Sequence, residues 1–286
     1  MLTPEQTKHY DRNGYLVIDN VISMDEVAEL REVLDSEKVL PALESRDFRK
    51  EMVHMLNITK MHPAFLHLAR DHRIVNLISP LIGPNIQLNH SKIATKPTAK
   101  GRGSFSWHQD FAYFPHTNTD LLAVMVMLDD ATPENGCMSV VSGSHKHGLL
   151  DHTKDGYFAG SCQEEKYWAD ESKLVQLKPR AGGISIHHCL TLHGSPPNLI
   201  GHPRRGLVFQ YRASDAYQLA DNLWEDGGLL ICGKPSDQVR CESAVFRLPR
   251  FRHRTPHYGS IWRQESDWSK EMNEKFIKEQ GPEDKV

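Results

Sequence analysis

Short β-forming runs separated by turn residues fill the chain from Asn85 to about Arg212, and this succession constrains the fold most strongly. The runs lie between Gly, Pro and Asn-Gly turn signals and read "NIQLNHSKIATKP", "FSWHQDFAYF", "LLAVMVMLDD", "CMSVVSGS", "KLVQLK", "GISIHH" and "RGLVFQYR". Most neighbouring runs have no helix-sized periodic segment between them. The pattern therefore predicts antiparallel strands in this part of the chain.

Helical patterns precede these strands. Two capping boxes, Thr3 with Gln6 and Ser23 with Glu26, predict helices that begin there, and "YLVID" between them predicts a strand. The stretch "PAFLHLARDHRIVNLISPLIG" predicts two further short helices. Helices followed by many strands predict a mainly β fold with flanking helices, in the form of a sandwich or jelly roll.

Length and composition set the class of protein. The 286 residues contain no repeat, low-complexity linker or shift in composition, so a single domain over residues 1–286 is predicted. Lysine and arginine number 34 against 37 acidic residues, giving a net charge of -3, and no global positive field exists to hold a nucleic acid. A hydrophobic fraction of 39% is typical of a soluble enzyme with a full core.

The cysteines and the N-terminus bear on the compartment. Five cysteines without a C-x-x-C pair indicate free thiols in a reducing environment rather than a disulfide framework. The N-terminus is polar, and no stretch approaches the roughly 18 apolar residues of a membrane span. We expect a cytoplasmic protein whose partner is a small-molecule substrate and neither a nucleic acid nor a membrane. The oligomeric state is left open.

A histidine and an aspartate lie two positions apart in "FSWHQDFAYFP". On a strand, residues i and i+2 point to the same side, so His108 and Asp110 can converge while Gln109 faces away. A third candidate, His193, follows the strand-like "GGISIHH". Two histidines and one carboxylate that leave coordination positions open are typical of non-haem Fe(II) oxygenases. The alternative is a chance H-x-D, because the chain contains 17 histidines.

Further motifs surround these residues in a fixed order. They are "TKP" at 95–97, "WHQDFAYFP" at 107–115, "DDATPENGC" at 129–137, "GSHKHG" at 143–148, "LHGSPPN" at 192–198 and "RRG" at 204–206. In this order they resemble the phytanoyl-CoA dioxygenase family of Fe(II)- and 2-oxoglutarate-dependent oxygenases, which includes ectoine hydroxylase.

The resemblance implies a double-stranded β-helix, which is a jelly-roll or cupin-like core, with His108, Asp110 and His193 as the iron ligands. It also implies Fe(II), 2-oxoglutarate as cosubstrate and O2, with ascorbate as a supportive reductant in vitro. The implied hydroxylase reaction releases succinate and CO2 as a substrate C–H bond is oxidised. Halogenase relatives replace the carboxylate ligand by a small residue, so Asp110 disfavours that chemistry.

The carboxylate of 2-oxoglutarate needs an anchor, and arginine binds carboxylates in a planar, bidentate manner. Arg204 lies eleven residues after His193, the spacing that the family implies, and shares a strand face with Gly206, whereas Arg205 shares the more apolar face. We therefore expect Arg204 to bind the cosubstrate. The alternative for it is a surface ion pair.

Two more residues are candidates for the cosubstrate site. Ser195 lies two positions after His193, and its hydroxyl could reach the same carboxylate. Lys96 of "TKP" resembles a family lysine that contacts the cosubstrate from a neighbouring strand, and its alternative is a solvated lysine.

Other histidines and aromatic residues are not predicted to bind the metal. His187 and His188 occupy adjacent strand positions, so at most one faces the metal, as a support for a ligand rather than a ligand. His145 and His147 lie beside glycines, which indicates a turn. The aromatic residues near the triad either pack in the core or line the substrate pocket: Trp107, Phe111, Tyr113 and Phe114.

Two functional hypotheses follow. The first is an oxygenase, and the second is a non-catalytic jelly-roll protein that binds a metal or a small ligand. The intact set of His108, Asp110, His193 and Arg204 favours the oxygenase. The substrate could be an acyl-CoA or a neutral natural product, but local basic clusters favour a small carboxylate or organophosphonate. Those clusters comprise Lys92, Lys96, Lys100, Arg102, Arg247, Arg250, Arg252, His253, Arg254 and His257, and their alternative is solvation or pairing with acids.

Overall fold

The computed structural model describes residues 1–39, 53–220 and 224–250. The helices in these ranges are α1 (Pro4–Asn13), α2 (Met24–Leu34), α3 (Ile58–Met61), α4 (Pro63–Ala69) and α5 (His72–Ile82). Both predicted capping boxes are present, at Thr3 and at Ser23. Within the described ranges no helix has the length and apolar character needed to cross a bilayer.

Antiparallel strands form a larger, seven-stranded sheet. Their order is β1 (Tyr15–Ile18), β10 (Ile184–His188), β5 (Leu121–Met127), β12 (Arg204–Ala213), β3 (Ile86–Lys96) and β13 (Leu230–Cys232), while β2 (Val53–Leu56) also pairs with β3. The longest pairing joins β12 to β3, from Arg204 opposite Lys96 to Gln210 opposite His90, and then shifts by a bulge. This register decides which side chains face each other across the two strands.

A smaller sheet of four strands lies opposite the larger one. Its order is β4 (Phe105–His108), β11 (His193–Ser195), β6 (Ser139–Val141) and β9 (Leu174–Gln176), and a separate hairpin joins β7 (Thr153–Lys154) to β8 (Tyr157–Phe158). A cleft between the sheets is lined from one side by His108 and His193 and from the other by Arg204 and Gln210. The predicted mainly β fold, with a jelly-roll core and flanking helices, is confirmed.

The two faces of the larger sheet differ in character. On the outer face of β12, Leu207, Phe209 and Tyr211 are fully buried in one apolar cluster with side chains of the helices. Burying a large apolar side chain stabilises the fold by roughly 1.5–3 kcal/mol, so this face carries much of the stability. On the inner face, Arg204 and Gln210 are also buried but are polar.

One predicted strand is shorter than its sequence pattern suggests. The run "FSWHQDFAYF" forms β4 only to His108, and Asp110 begins a 3₁₀ turn over Asp110–Ala112. The strand ends there because the Gln109 backbone N–H donates to His152 Nε2, 2.9 Å away, instead of to a neighbouring strand. Residues 40–52 lie outside the described ranges. So does the chain after residue 250, with Arg252, His253, Arg254 and His257 of the predicted basic cluster.

Candidate metal centre

Three side chains meet in the cleft between the sheets. His108 ends β4, His193 begins β11 directly opposite it, and Asp110 reaches the same point from the 3₁₀ turn. One donor atom from each lies within 4.8 Å of the other two, and all three residues are buried. The Asp110 Oδ1 atom is 3.8 Å from His108 Nε2 and 3.9 Å from His193 Nε2.

Backbone carbonyls fix the orientation of both imidazole rings. His108 Nδ1 is 2.8 Å from the Ser106 carbonyl, and His193 Nδ1 is 2.9 Å from the Thr191 carbonyl. A carbonyl only accepts, so each Nδ1 carries the proton and donates it, which leaves the Nε2 lone pair directed into the cleft. Burial and the His193 charge hold the pKa of His108 well below its usual range, and burial lowers the pKa of His193 to about 4. Both rings are therefore neutral at physiological pH.

The carboxylate of Asp110 is held through one of its oxygens. Gln210 Nε2 donates to Oδ2 over 2.6 Å and His187 Nε2 donates over 3.1 Å, which leaves Oδ1 facing the two ligand-like histidines. Burial alone would raise the pKa of Asp110, but the neighbouring His193 and His187 bring it well below the usual range. Asp110 is therefore ionised.

This donor set fits an iron ion. Two neutral imidazole nitrogens and one carboxylate oxygen come from one side of the cleft, as in non-haem iron sites with open positions. Each donor is held by a second group through its other polar atom, as is usual for metal ligands. Strand parity predicted that at most one of His187 and His188 would support a ligand, and His187 is the one that contacts Asp110. The role of Gln210 was missed, and only its shared strand face with Arg204 gave a signal.

At the other end of the cleft lies Arg204, which is 2% exposed. Its Nη1 donates to the Gly136 carbonyl over 2.6 Å, while its buried Nε has no hydrogen-bond partner among the described residues. Gly136 has a φ of 74°, and a Cβ there would collide with the Pro196 carbonyl, so glycine is required for this contact. Burial lowers the pKa of Arg204 to about 10, which still leaves a cation at neutral pH.

Lys96 lies opposite Arg204 on β3 and is fully buried. Its Nζ donates to the carbonyls of Pro196, over 2.6 Å, and of Gly103. Burial, followed by the charge of Arg204, lowers the pKa of Lys96 to about 6. In the described part of the chain no carboxylate forms a salt bridge with Arg204 or Lys96, and Arg204 is charged at neutral pH, so this end of the cleft suits an anionic ligand. Ser195, half-buried, lines the same cleft.

Arg205 occupies a different environment from Arg204. Its guanidinium pairs with Asp129 through two hydrogen bonds, from Nε over 2.9 Å and from Nη2 over 2.7 Å. Arg31 of α2 contacts the same carboxylate at 3.2 Å. This cluster joins a helix to the outer side of the sheet and lies outside the cleft.

The remaining candidate residues are divided between the core and the surface. His188 points away from Asp110 and packs beside Tyr10 and His145, and His147 is exposed in a 3₁₀ turn. The ring of Tyr113 meets the edge of His108 at 5.7 Å between centroids. The other aromatics pack against partners, Trp107 with Trp168, Phe111 with Phe246 and Phe114 with His90.

Among the members of the predicted basic cluster that the structure describes, Lys92 lines the cleft and the arginines other than Arg102 have partners elsewhere. Arg247 forms an ion pair with Asp151, and the guanidinium of Arg250 lies over the ring of Tyr157. Lys100 is exposed in the turn after β3. Of the clustered cations that the structure describes, Lys92 and Lys96 are buried.

Comparisons with known proteins match this geometry. Residues 10–206 match the family model of phytanoyl-CoA dioxygenase (PhyH). A Stutzerimonas stutzeri protein named "probable alpha-ketoglutarate-dependent hypophosphite dioxygenase" is 31% identical over 263 residues, covering 86% of this chain and 91% of the relative. Ectoine dioxygenase of Sphingopyxis alaskensis is 28% identical over 239 residues, covering 74% and 76%.

A solved structure supports the same assignment. The crystal structure of EctD from S. alaskensis with bound Fe is 25% identical, with a TM-score of 0.62 over 84% of this chain and 87% of that one. The family match spans well over half of the chain and includes the strands that carry the His-Asp-His cluster. The chain therefore belongs to the phytanoyl-CoA dioxygenase family.

Proposed function

We propose that this protein is an Fe(II)- and 2-oxoglutarate-dependent dioxygenase that hydroxylates a small anionic molecule, with His108, Asp110 and His193 as its iron ligands. The observation that carries the proposal is the convergence of these three buried donors on one point, each held by a second group. The family match and the named relatives agree with this chemistry.

The other end of the cleft serves the cosubstrate. Arg204 is a buried cation with a free Nε, and a distal carboxylate of 2-oxoglutarate would satisfy it. Lys96 contributes its third N–H and Ser195 its hydroxyl to the same carboxylate. Gly206 keeps this part of the cleft open, because a Cβ there would lie 3.2 Å from the Met125 side chain.

When iron is bound, it supplies the coupling of O2 reduction to the oxidative decarboxylation of 2-oxoglutarate. In the overall balance, one oxygen atom of O2 enters succinate and the other enters the substrate as a hydroxyl group, and CO2 leaves. The chain's own contribution is to hold its donors in a fixed pose, to bind both anions, and to keep the reacting centre away from bulk water.

The cysteines and the sheet support proposals about the compartment and the domain organisation. The described cysteines Cys137, Cys162, Cys189, Cys232 and Cys241 are all free thiols, which suits a reducing cytoplasm. We also propose one domain over residues 1–286. Early and late elements support it, because β1 and β13 belong to the same sheet.

Metal binding and turnover test the proposal together. Anaerobic titration should find one Fe(II) per chain, and aerobic incubation with 2-oxoglutarate should release succinate and CO2, with ascorbate sustaining turnover. His193→Ala should lose both properties, whereas the matched control His147→Ala, at an exposed histidine, should keep them. A protein that binds iron but never consumes 2-oxoglutarate would instead support the non-catalytic hypothesis.

A further inference from the structure

We propose that Lys92 binds the anionic group of the substrate and thereby selects small oxyanions over neutral molecules of the same shape. This inference rests on the proposed function. It assigns the substrate to the part of the cleft that the metal and the cosubstrate do not occupy. The substrate class is a small phosphinate, phosphonate or carboxylate whose reacting bond lies next to its charged group.

The position of Lys92 is the first observation. It lies on β3 opposite Val208 of β12, and it lines the same cleft as His108 and Asp110. Its side chain is buried, with 6% exposure. Lys92 and Lys96 share one face of β3, and four residues along a strand separate them by about 13 Å. The two buried lysines therefore lie at separate positions along β3, and Lys92 is the one that lines the cleft.

The two lysines have different surroundings. Lys96 lies opposite Arg204, and together these two cations can bind both oxygens of one carboxylate. Lys92 lies opposite Val208, which is two positions along β12 from Gln210. The Gln210 side chain donates to Asp110. The proposed function places the distal carboxylate of 2-oxoglutarate at Arg204. The cation near Asp110 is assigned to the second reactant.

Charge effects place Lys92 close to the reacting centre. Its positive charge is among the causes that lower the pKa values of His90 and His193, where burial is the largest cause, and it also lowers the pKa of Asp110 against the effect of burial. A small oxyanion that binds this ammonium group places its adjacent bond beside the metal ligands, because Lys92 lines the same cleft as His108 and Asp110.

Two residues complete the surroundings of Lys92. His90, two positions before it on the same face of β3, contacts the tilted ring of Trp224 and meets Phe114 edge-on, at centroid distances of 4.9 and 5.4 Å. Burial lowers the pKa of His90 to about 3, so it contributes no second cation. In the described structure Gln210 Oε1 is buried without a hydrogen-bond partner and can accept from a hydroxyl or amine of the ligand. One cation and one acceptor in the same cleft suit a small anion.

A purely electrostatic role for Lys92 makes different predictions. If Lys92 only balanced the charge of Asp110, its neutralisation would weaken metal binding and would affect charged and neutral ligands alike. If Lys92 binds the substrate, its neutralisation removes the preference for an anion and leaves metal and cosubstrate binding in place. The experiment must therefore measure all three affinities.

The probes are dimethylphosphinate and dimethyl sulfone, which share a shape and differ by one negative charge. Their binding is measured by calorimetry on full-length protein loaded with Mn(II) and 2-oxoglutarate under anaerobic conditions, and Mn(II) binding is measured separately by EPR. The wild type should prefer dimethylphosphinate by about 10- to 100-fold, the range expected for one charge-assisted hydrogen bond.

Lys92→Met should reduce that preference to less than about threefold, while the Kd values for Mn(II) and 2-oxoglutarate stay within about threefold of the wild type. Lys92→Arg should retain the preference, and so should Lys100→Met, the matched control at an exposed lysine. Lys92→Gln replaces Lys92→Met if the methionine variant does not fold.

Three outcomes would overturn the inference. The wild type could show no preference for the anion, or Lys92→Met could keep the full preference. In the third, Lys92→Met loses affinity for Mn(II) to the same extent as it loses affinity for dimethylphosphinate. Each leaves the dioxygenase assignment standing as long as the wild type still binds Mn(II) and 2-oxoglutarate. A wild type that binds neither would refute the proposed function instead.

Discussion

Two adjacent arginines lie on opposite faces of β12 and have different surroundings. Arg205 on the outer face pairs with Asp129, and its neighbours there are fully buried in the apolar cluster beneath the helices. Arg204 on the inner face is buried without a carboxylate partner among the described residues, and its Nε is unsatisfied. The Arg205 guanidinium is thus paired with a carboxylate of the protein, whereas the Arg204 Nε is not hydrogen-bonded. Under the proposed function, this comparison separates residues that maintain the fold from residues that bind ligands.

The largest effect is expected on the inner side. Asp110→Ala removes the only carboxylate of the three donors, so we expect hydroxylation to fall below detection while the Tm changes by a few degrees at most. Succinate release and calorimetric unfolding measure the two properties. Full activity in this variant would contradict the assignment of the metal centre to the inner face.

The outer face should show the reverse pattern. Phe209 is fully buried between the sheet and the helices, and Phe209→Ala should lower the free energy of unfolding by about 3–5 kcal/mol. Denaturant unfolding measures this loss. The Kd for 2-oxoglutarate, determined below the unfolding transition, should be unchanged. A large change in that Kd with little loss of stability would contradict the division between the faces.

The adjacent arginines give the most direct comparison. Arg204→Met should raise the Kd for 2-oxoglutarate on the order of 100-fold, because a charge-assisted, bidentate contact is lost. Arg205→Met should leave that Kd within about twofold and lower the unfolding free energy by about 1 kcal/mol. Calorimetric titration of both variants measures the two Kd values. The opposite ranking of the two Kd values would assign the cosubstrate to Arg205.

The smallest effect concerns pH. Burial and Arg204 lower the pKa of Lys96 to about 6, so its amine is neutral above that pH when no ligand is bound. A carboxylate beside it favours the protonated form, so 2-oxoglutarate binding should take up part of a proton above pH 6. The affinity should then fall as pH rises, by at most about tenfold per pH unit.

Calorimetry in two buffers with different ionisation enthalpies measures the proton uptake. Lys96→Met should show none, and Arg205, whose pKa is raised by its bond to Asp129, contributes none in either protein. The absence of proton uptake in the wild type would mean that Lys96 stays a neutral donor to its two carbonyls.

Local patterns in the sequence predicted most of the fold. Capping boxes and hydrophobic spacing gave the helices, and turn residues between β-formers gave the strands, because these signals act over a few residues. Strand parity also placed Arg204 and Arg205 on opposite faces, and the structure has them so.

Long-range contacts account for what the sequence did not reveal. The end of β4 at His108 depends on His152, which lies 43 positions further on and accepts from the Gln109 backbone. The hold of Gln210 on Asp110 spans 100 positions. No periodicity or spacing encodes such a contact, since it arises only when the two sheets come together.

The carbonyls that orient the imidazoles of His108 and His193 lie two residues upstream in each case. Both rings are thus aimed by their own short segments, so the fold itself shapes the histidine half of the receptor for metal. Because imidazole and carboxylate donors accept several divalent metals, the supply of free metal in the cell contributes, beside the geometry of the donors, to which ion is bound.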